Sequence, residues 1–496
     1  MRRQSWKRVL SAVAALAGTH LLIGCGSSGN NAPKPVIQNI NSSTTPTSPV
    51  GLPIEINGTG FQAAPGKVVF TQGSISATVV PSTGGWSDTG IVAVVPSGDG
   101  SSSFTLPGTV NVTVVTSGGT SNAVALNLIQ TLSFSPSNMV WTTTLALPKP
   151  LTGLRAVAVP GATSTTAFAV VTGGFDGTAN SNVSYSINLN ADGTVGSTTN
   201  ISWTTVPANS LPETRAFHAM AEADPTNSLV ATTARYVYVI GGQKLSADAP
   251  GGTDTVFMAS VDPTSGSVAT WTGLTSTLPQ QLVGVSAAVY NGYLYVAGGL
   301  TTGALPTTAV YSAQIHSDGT LGSWSTAANS LPTATSFGAM FAFGGKLYFI
   351  TGDPNNSSNP NDQDLGTNNV YYASALRGTV GQWTLNSSLV TKTRNKAILL
   401  SAFGQVLLGE GIYSGSPGSS EFERSTVNVD GTLASWNGLT GVNVPSANVY
   451  NAAAFVSPLI SPTQTPRFLF LGGQAFTATS GPGGALSNAV HVNSAP

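Results

Sequence analysis

Few side chains in this sequence could do chemistry, and those that could recur in two places, before strand-like runs and beside repeated glycines. Charged residues make up 7% of the 496 positions, against roughly 25% in an ordinary globular protein. Arg155, Glu213, Arg215, His218, Arg394, Asn395 and Lys396 lie in segments leading into strand-like runs, while Asp176, Gln243, Asp353, Glu410 and Gln474 lie beside paired or degenerate glycines. Arginine grips a carboxylate through two parallel hydrogen bonds, and a carboxylate facing it in a closed pocket could move a proton. Such a set could hold a neutral or weakly acidic ligand, or act on one. The competing use is structural, with Arg155, Arg215 and Arg394 pairing to carboxylates of neighbouring repeats or to backbone carbonyls. Both uses are open on the sequence. Metal chemistry is not indicated: His20, His218, His316 and His491 show no ligand spacing. The stretch DPNNSSNPNDQD, Asp353 to Asp364, has calcium-type oxygens but lacks the glycine and spacing of an EF-hand loop. No cofactor is expected.

The elements that must position these residues repeat. A strand-like run ends in paired glycines at Gly174, Gly242, Gly299 and Gly473, with degenerate copies at Gly352 and at Gly409 and Gly411. Each is followed by a polar loop and a second run, such as TTAVYSAQI; then comes a tight turn, clearest in Asp192-Gly193, Asp318-Gly319 and Asp430-Gly431. Trp203, Trp271, Trp324, Trp383 and Trp436 follow. Each unit reads as a four-stranded antiparallel sheet, one blade of a propeller. The sixth unit stops at Val490-His491-Val492 without a tryptophan, whereas Trp141 in WTTTLALP has no run before it. An N-terminal strand is therefore expected to complete the last blade and close a six-bladed ring, which removes free sheet edges.

Ahead of the repeats, residues 35–130 hold about seven short strand-like runs, including GLPIEINGTGF and GTVNVTVVTSGG, the pattern of a β-sandwich. Ile56-Asn57-Gly58-Thr59-Gly60-Phe61, Val68-Val69-Phe70, Val94-Val95-Pro96 and Thr113 to Gly119 resemble the IPT/TIG immunoglobulin-like domain, which implies a spacer or binding module. Trp86 is expected in the core. Over 131–496 the diglycines Gly241-Gly242 and Gly298-Gly299, with Tyr311, Trp271 and Trp324, resemble the kelch repeat. The fold class is thus all-β: an Ig-like sandwich followed by a six-bladed kelch-type β-propeller. At the start, Arg2, Arg3, Lys7 and Arg8 precede an apolar stretch, too short for a membrane span of about 20 residues, that ends Leu22-Ile23-Gly24-Cys25. This resembles a bacterial lipobox. It implies a signal peptide at 1–24, lipidation of Cys25, a flexible tether over 25–34, and an outer-membrane or cell-surface location.

Cys25 is the only cysteine, so no internal disulfide can form. The copper and cysteine-linked tyrosine of galactose oxidase, which resembles this fold, are likewise excluded. The formal net charge of −1 gives no basic face for nucleic acid. In this fold the loops carrying the polar set meet at one mouth of the central channel. The expected function is therefore non-catalytic binding of a glycan or protein partner by a lipid-anchored monomer. Two alternatives stay open. One is a sugar-active enzyme similar to the sialic-acid mutarotases, with Arg215 and Glu410 in its arginine and glutamate roles. The other is a purely structural envelope component, its channel plugged by apolar residues and its charges paired.

Overall fold

The computed structural model describes residues 32–41, 46–81, 85–129, 140–163, 165–190, 192–196, 202–205, 210–223, 234–245, 251–355, 366–402, 404–413, 422–428, 430–439, 449–458, 467–475 and 484–493. The expected signal peptide, Cys25 and most of the tether lie outside the described residues, as does most of the stretch 353–364. Every regular element among the described residues is a strand.

Residues 36–129 form two sheets. Val36–Ile40, Pro53–Thr59 and Gly90–Val94 make the smaller one; Thr47–Pro49, Val124–Ile129, Gly108–Thr116, Lys67–Gln72 and Ile75–Val79 follow one another across the larger. Alternate side chains such as Ile54, Ile56, Val68, Phe70, Val112, Val114, Leu126 and Leu128 turn inward and share one core. Phe61 joins them fully buried. Trp86 is buried as well, packs 6.4 Å from Phe61 between ring centroids, and donates its indole N–H to the Gln62 carbonyl at 2.9 Å.

The rest of the described chain is propeller-like, with six antiparallel sheets, five of four strands and the fourth of five. Their first strands are Arg155–Pro160, Ala219–Ala223, Ser286–Tyr290, Ala339–Phe343, Ile398–Ala402 and Ala453–Val456. They neighbour one another in that order, and the last returns to the first. The sixth sheet takes its outer strand from the front of the chain: Trp141–Thr143 pairs with Val490–Asn493. The Trp141 ring stacks on Phe422 of the fifth sheet and meets Phe470 of the sixth edge-on. Elsewhere too the tryptophan bridges sheets, as where the Trp271 indole reaches Ser184 of the first sheet at 3.2 Å. The Asp-Gly turns carry a second set of links. The Tyr238 hydroxyl donates to the Gly319 carbonyl, Tyr348 to that of Gly431, and Arg467 Nε to that of Asp192, each joining one sheet to the turn of the next.

One backbone position recurs in all six sheets, two residues before the first strand: Gly153, Phe217, Gly284, Phe337, Lys396 and Asn451. All have φ between +50° and +66°. Each donates its N–H to the carbonyl of the one before, at 2.8 to 3.2 Å, and Gly153 closes the circle on Asn451. A second circle runs outside it: Gly174, Gly242, Gly299, Gly352, Gly411 and Gly473 each donate to the carbonyl two residues before the ring position of the next sheet. At Gly242, where φ is +92°, a Cβ would stand 2.7 Å from that of His218, so only glycine fits.

Thr351 breaks this rule. It fills the first diglycine position at φ +58°, is buried, and has no partner for its hydroxyl among the described residues. A β-branched residue in the left-handed region is strained by about 1–2 kcal/mol, and a buried unbonded hydroxyl adds a cost of similar size. Against this stands the entropy of the unfolded glycine, about 0.5–1 kcal/mol. Thr351→Gly should therefore stabilise the fold by about 1–3 kcal/mol. Denaturant unfolding would measure it, and a loss of stability would contradict the strain assigned here.

The sandwich rests on the opposite end of the six-sheet body, on the hairpins of the third, fourth and fifth sheets. Pro53 packs at Gly344, Val92 at Gly345 and Leu52 at Gly404. Arg377 Nη2 donates to the Thr89 carbonyl at 3.2 Å.

Candidate functional site

The polar set singled out in the sequence gathers at the diglycine end, but largely with its side chains turned inward. Arg215 and Arg394 are fully buried. Arg215 donates to Glu213 at 2.9 Å, to the Thr214 carbonyl and to the Thr255 hydroxyl, and its guanidinium lies 4.7 Å from the centroid of the Phe257 ring. Arg394 donates to the Glu410 carbonyl at 2.6 Å and to Glu423 at 3.2 Å. The Arg155 guanidinium reaches the Leu154 carbonyl, and burial pushes its pKa down to about 10. His218 is buried with Nε2 2.9 Å from the Thr172 hydroxyl. Burial, with Arg155 and Arg215 nearby, holds its pKa well below the usual histidine range. Lys396 places its ammonium 5.1 Å from the centroid of Phe337, which packs edge-on against Phe217. Aromatic rings therefore fill the axis here, together with Val283 and Leu300.

The register corrects the grouping made from sequence. Arg215 and Arg394 stand two residues before the ring position, whereas Arg155 stands two residues after Gly153, level with Ala219 and Ile398. Gln243, Asp353 and Gln474 are equivalent to one another: each pairs with the residue just before the ring position, Ala216, Ser336 and Tyr450 respectively. Asp176 lies one residue further on. It is exposed and accepts the backbone N–H groups of Thr178 and Ala179. Arg215 and Glu410, the pair cast in mutarotase roles, have different partners and are not brought together. Glu213, with its side chain 41% exposed, holds both Arg215 and Lys244.

Glu410 has a local explanation that sequence reasoning missed. It occupies the first diglycine position of the fifth sheet at φ +55°. In the other sheets, the N–H two residues before the next ring position goes to a loop carbonyl; Arg215 to Ser181 and Leu282 to Thr253 are examples. Val449 instead donates to Glu410 Oε2 at 2.8 Å. The carboxyl thus replaces a backbone acceptor. Burial pushes its pKa from 4.5 up to about 8, so the stability it contributes is full below 4.5 and lost as pH rises through 8. Glu410→Gln keeps the acceptor without the titration, and its unfolding midpoint should fall less between pH 6 and 9 than that of the parent. An equal fall in both proteins would refute this role.

The arginines also differ in what they leave behind. Removing Arg394 leaves Glu423, whose side chain is 2% exposed, without its ion-pair partner and held, among the described residues, only by the Thr391 N–H; loss of a buried ion-pair partner costs about 3–5 kcal/mol. Removing Arg215 leaves Glu213 half in water and still paired with Lys244, a loss of about 1–3 kcal/mol. Arg394→Ala should unfold at the lower denaturant concentration, and the reverse order would overturn the assignment.

Open space lies at the other end, between the sandwich and the fourth and fifth sheets. A cleft of about 710 Å³ is walled by Pro53, Val79, Val80, Pro81 and Val92 on one side and by Lys346, Tyr348, Tyr372, Ser374, Gln382, Thr384, Asn428 and Asp430 on the other. The Lys346 ammonium stands 4.8 Å from the centroid of the Tyr372 ring. Burial lowers its pKa and Asp430 opposes that shift. Val80 is 66% exposed. The site therefore combines an aromatic and aliphatic floor, a rim of amides and hydroxyls, and one pair of opposite charges. No family model and no curated protein matches this sequence. Among solved structures, one described as the structure of YjhT aligns over 70% of this chain and 95% of that one, at 16% identity and a TM-score of 0.46. A likeness at that level carries nothing about activity. No group of three or more acidic, histidine or cysteine side chains placed to hold a metal occurs among the described residues.

Proposed function

We propose that this chain is an exported, lipid-anchored envelope protein that binds a glycan or protein partner without chemistry. On this reading the six sheets are the blades of a closed kelch-type propeller, the sandwich is an Ig-like domain of the IPT/TIG kind, and Cys25 is the lipidated residue. The observation that carries the binding role is the cleft between the sandwich and the propeller-like body. Clefts of about 300–1,000 Å³ at domain boundaries are common ligand sites. Its neutral rim of Ser374, Gln382, Thr384 and Asn428 above Tyr372 suits a partner offering hydroxyl groups on one edge and C–H groups on a face, as a neutral saccharide does. The diglycine end favours this location, because its arginines and Glu410 are committed to holding the sheets together.

The test uses the chain expressed with its own N-terminus in a bacterial host. It should be recovered from membranes, and Cys25→Ser should release it in soluble form. Screened on a glycan array, the soluble protein should bind neutral oligosaccharides, and Gln382→Ala with Asn428→Ala should weaken binding at least tenfold while unfolding is unchanged. Membrane recovery that survives Cys25→Ser sinks the anchor. A folded protein that binds neither a glycan nor, after crosslinking in the envelope, any protein sinks the binding role.

A further inference from the structure

The contact between the sandwich and the six-sheet body holds a buried acid that no function above uses. Glu55, on strand Pro53–Thr59, is 2% exposed. Its backbone belongs to the sandwich: the N–H donates to Asn41 Oδ1 at 2.8 Å, and the carbonyl accepts the Asn41 N–H at 2.7 Å. Its side chain crosses to the third sheet. Oε1 accepts from Asn291 Nδ2, and the Tyr290 hydroxyl is bonded to the same carboxyl. Tyr290 accepts in turn from the Gly345 N–H of the fourth sheet at 2.8 Å. Asn57, two residues along the same face, donates to Asn291 Oδ1 at 3.3 Å. Glu55 Oε2 has no partner among the described residues.

The groups facing this carboxyl are few. From the third sheet come Tyr290 and, further off, Tyr295, both pushed to higher pKa by burial. From the fourth comes Arg377, an exposed cation whose hydrogen bond goes to the Thr89 carbonyl. Within the sandwich, the neighbouring strands offer Asn39, Asn41 and Val92, all neutral. An ionised Glu55 therefore has no ion pair in place. It must regain water, and water reaches it when the two parts separate.

We propose that Glu55 makes this joint acid-tightened: the sandwich stays docked while its carboxyl is protonated and swings free as it ionises. The proposal does not depend on what the neighbouring cleft holds, although the cleft has a wall on each part and would open with the joint. Burial pushes Glu55 from 4.5 up to about 7 in the docked form. Freed into water, it returns to its ordinary value. The direction follows from linkage. Support for docking is complete below 4.5, falls by roughly tenfold per pH unit above that, and is gone once pH has risen through 7. The apolar contacts at Gly344 and Gly345 are indifferent to pH and set the level from which the change starts.

Spin labels at Ser101 of the sandwich and Ser317 of the body, in a chain with Cys25→Ser, would read the separation from pH 5 to 8.5. One short distance distribution is expected at pH 5, with a longer population growing as pH rises towards 7 and levelling off above it. In Glu55→Gln the short distribution should persist throughout. A pH-independent distribution in the parent, or the same growth in the variant, overturns the proposal. Amide exchange at Gly345 in the unsubstituted chain is a second readout. Corrected for base catalysis, its protection should drop at least tenfold between pH 5 and 7, and constant protection would equally overturn the joint.

Discussion

Six backbone N–H groups that close on themselves through left-handed residues are the constraint on which the rest depends. Each hydrogen bond contributes only about 1 kcal/mol net, and a non-glycine residue in the left-handed region offsets much of that. The effect of the circle is geometric. Every sheet must present one residue at the same radius and height, and an error in any sheet would be carried to its neighbours. The diglycines follow from this. The second glycine donates across to the next sheet, while the space beside it is filled by the segment leading into the first strand of its own sheet. What reads as a repeated sequence motif is the footprint of inter-sheet hydrogen bonding rather than of any ligand.

The same constraint decides where chemistry can sit. With the axis filled by Phe217, Phe337 and their neighbours, the charged residues of the diglycine end have few places to go except into the joints between strands. Arg394 and Glu423 make one such joint and Arg215 on Phe257 another. Both of these buried arginines thus have a structural partner beside them. The open cleft lies instead at the far end, where the sandwich adds a wall that the six sheets lack.

Much of the architecture was legible in the sequence because it is periodic. The run ending in glycines, the Asp-Gly turns and the trailing tryptophans each stand for one strand boundary, and the orphan Trp141 told where the missing strand had to come from. The candidate site was less legible, for two physical reasons. Counting residues from the glycines does not give register, so Arg155 was grouped with Arg215 and Arg394 although it sits on the other side of the ring position. Burial is also invisible in a polar residue: nothing in the letters around Glu410 distinguishes a pocket carboxylate from one that replaces a loop carbonyl. The joint at Glu55 was missed altogether, because its partners Tyr290 and Asn291 lie more than two hundred positions away.

The two raised carboxyls, Glu55 and Glu410, are solutions to the same problem with opposite consequences. Each is buried without an ion pair of its own, and each supplies an oxygen where a backbone or side-chain donor needs one. At Glu410 the donor is Val449, within the continuous circle of sheets, so ionisation strains a structure that cannot part locally. At Glu55 the donors belong to a separate body joined mainly through hairpin tips. There ionisation has a cheaper outlet, since relative motion of two domains exposes far less apolar core than unfolding either one. The same chemical group is thus a fixed strut in one place and a release in the other, and the difference lies wholly in what the surrounding backbone allows to move.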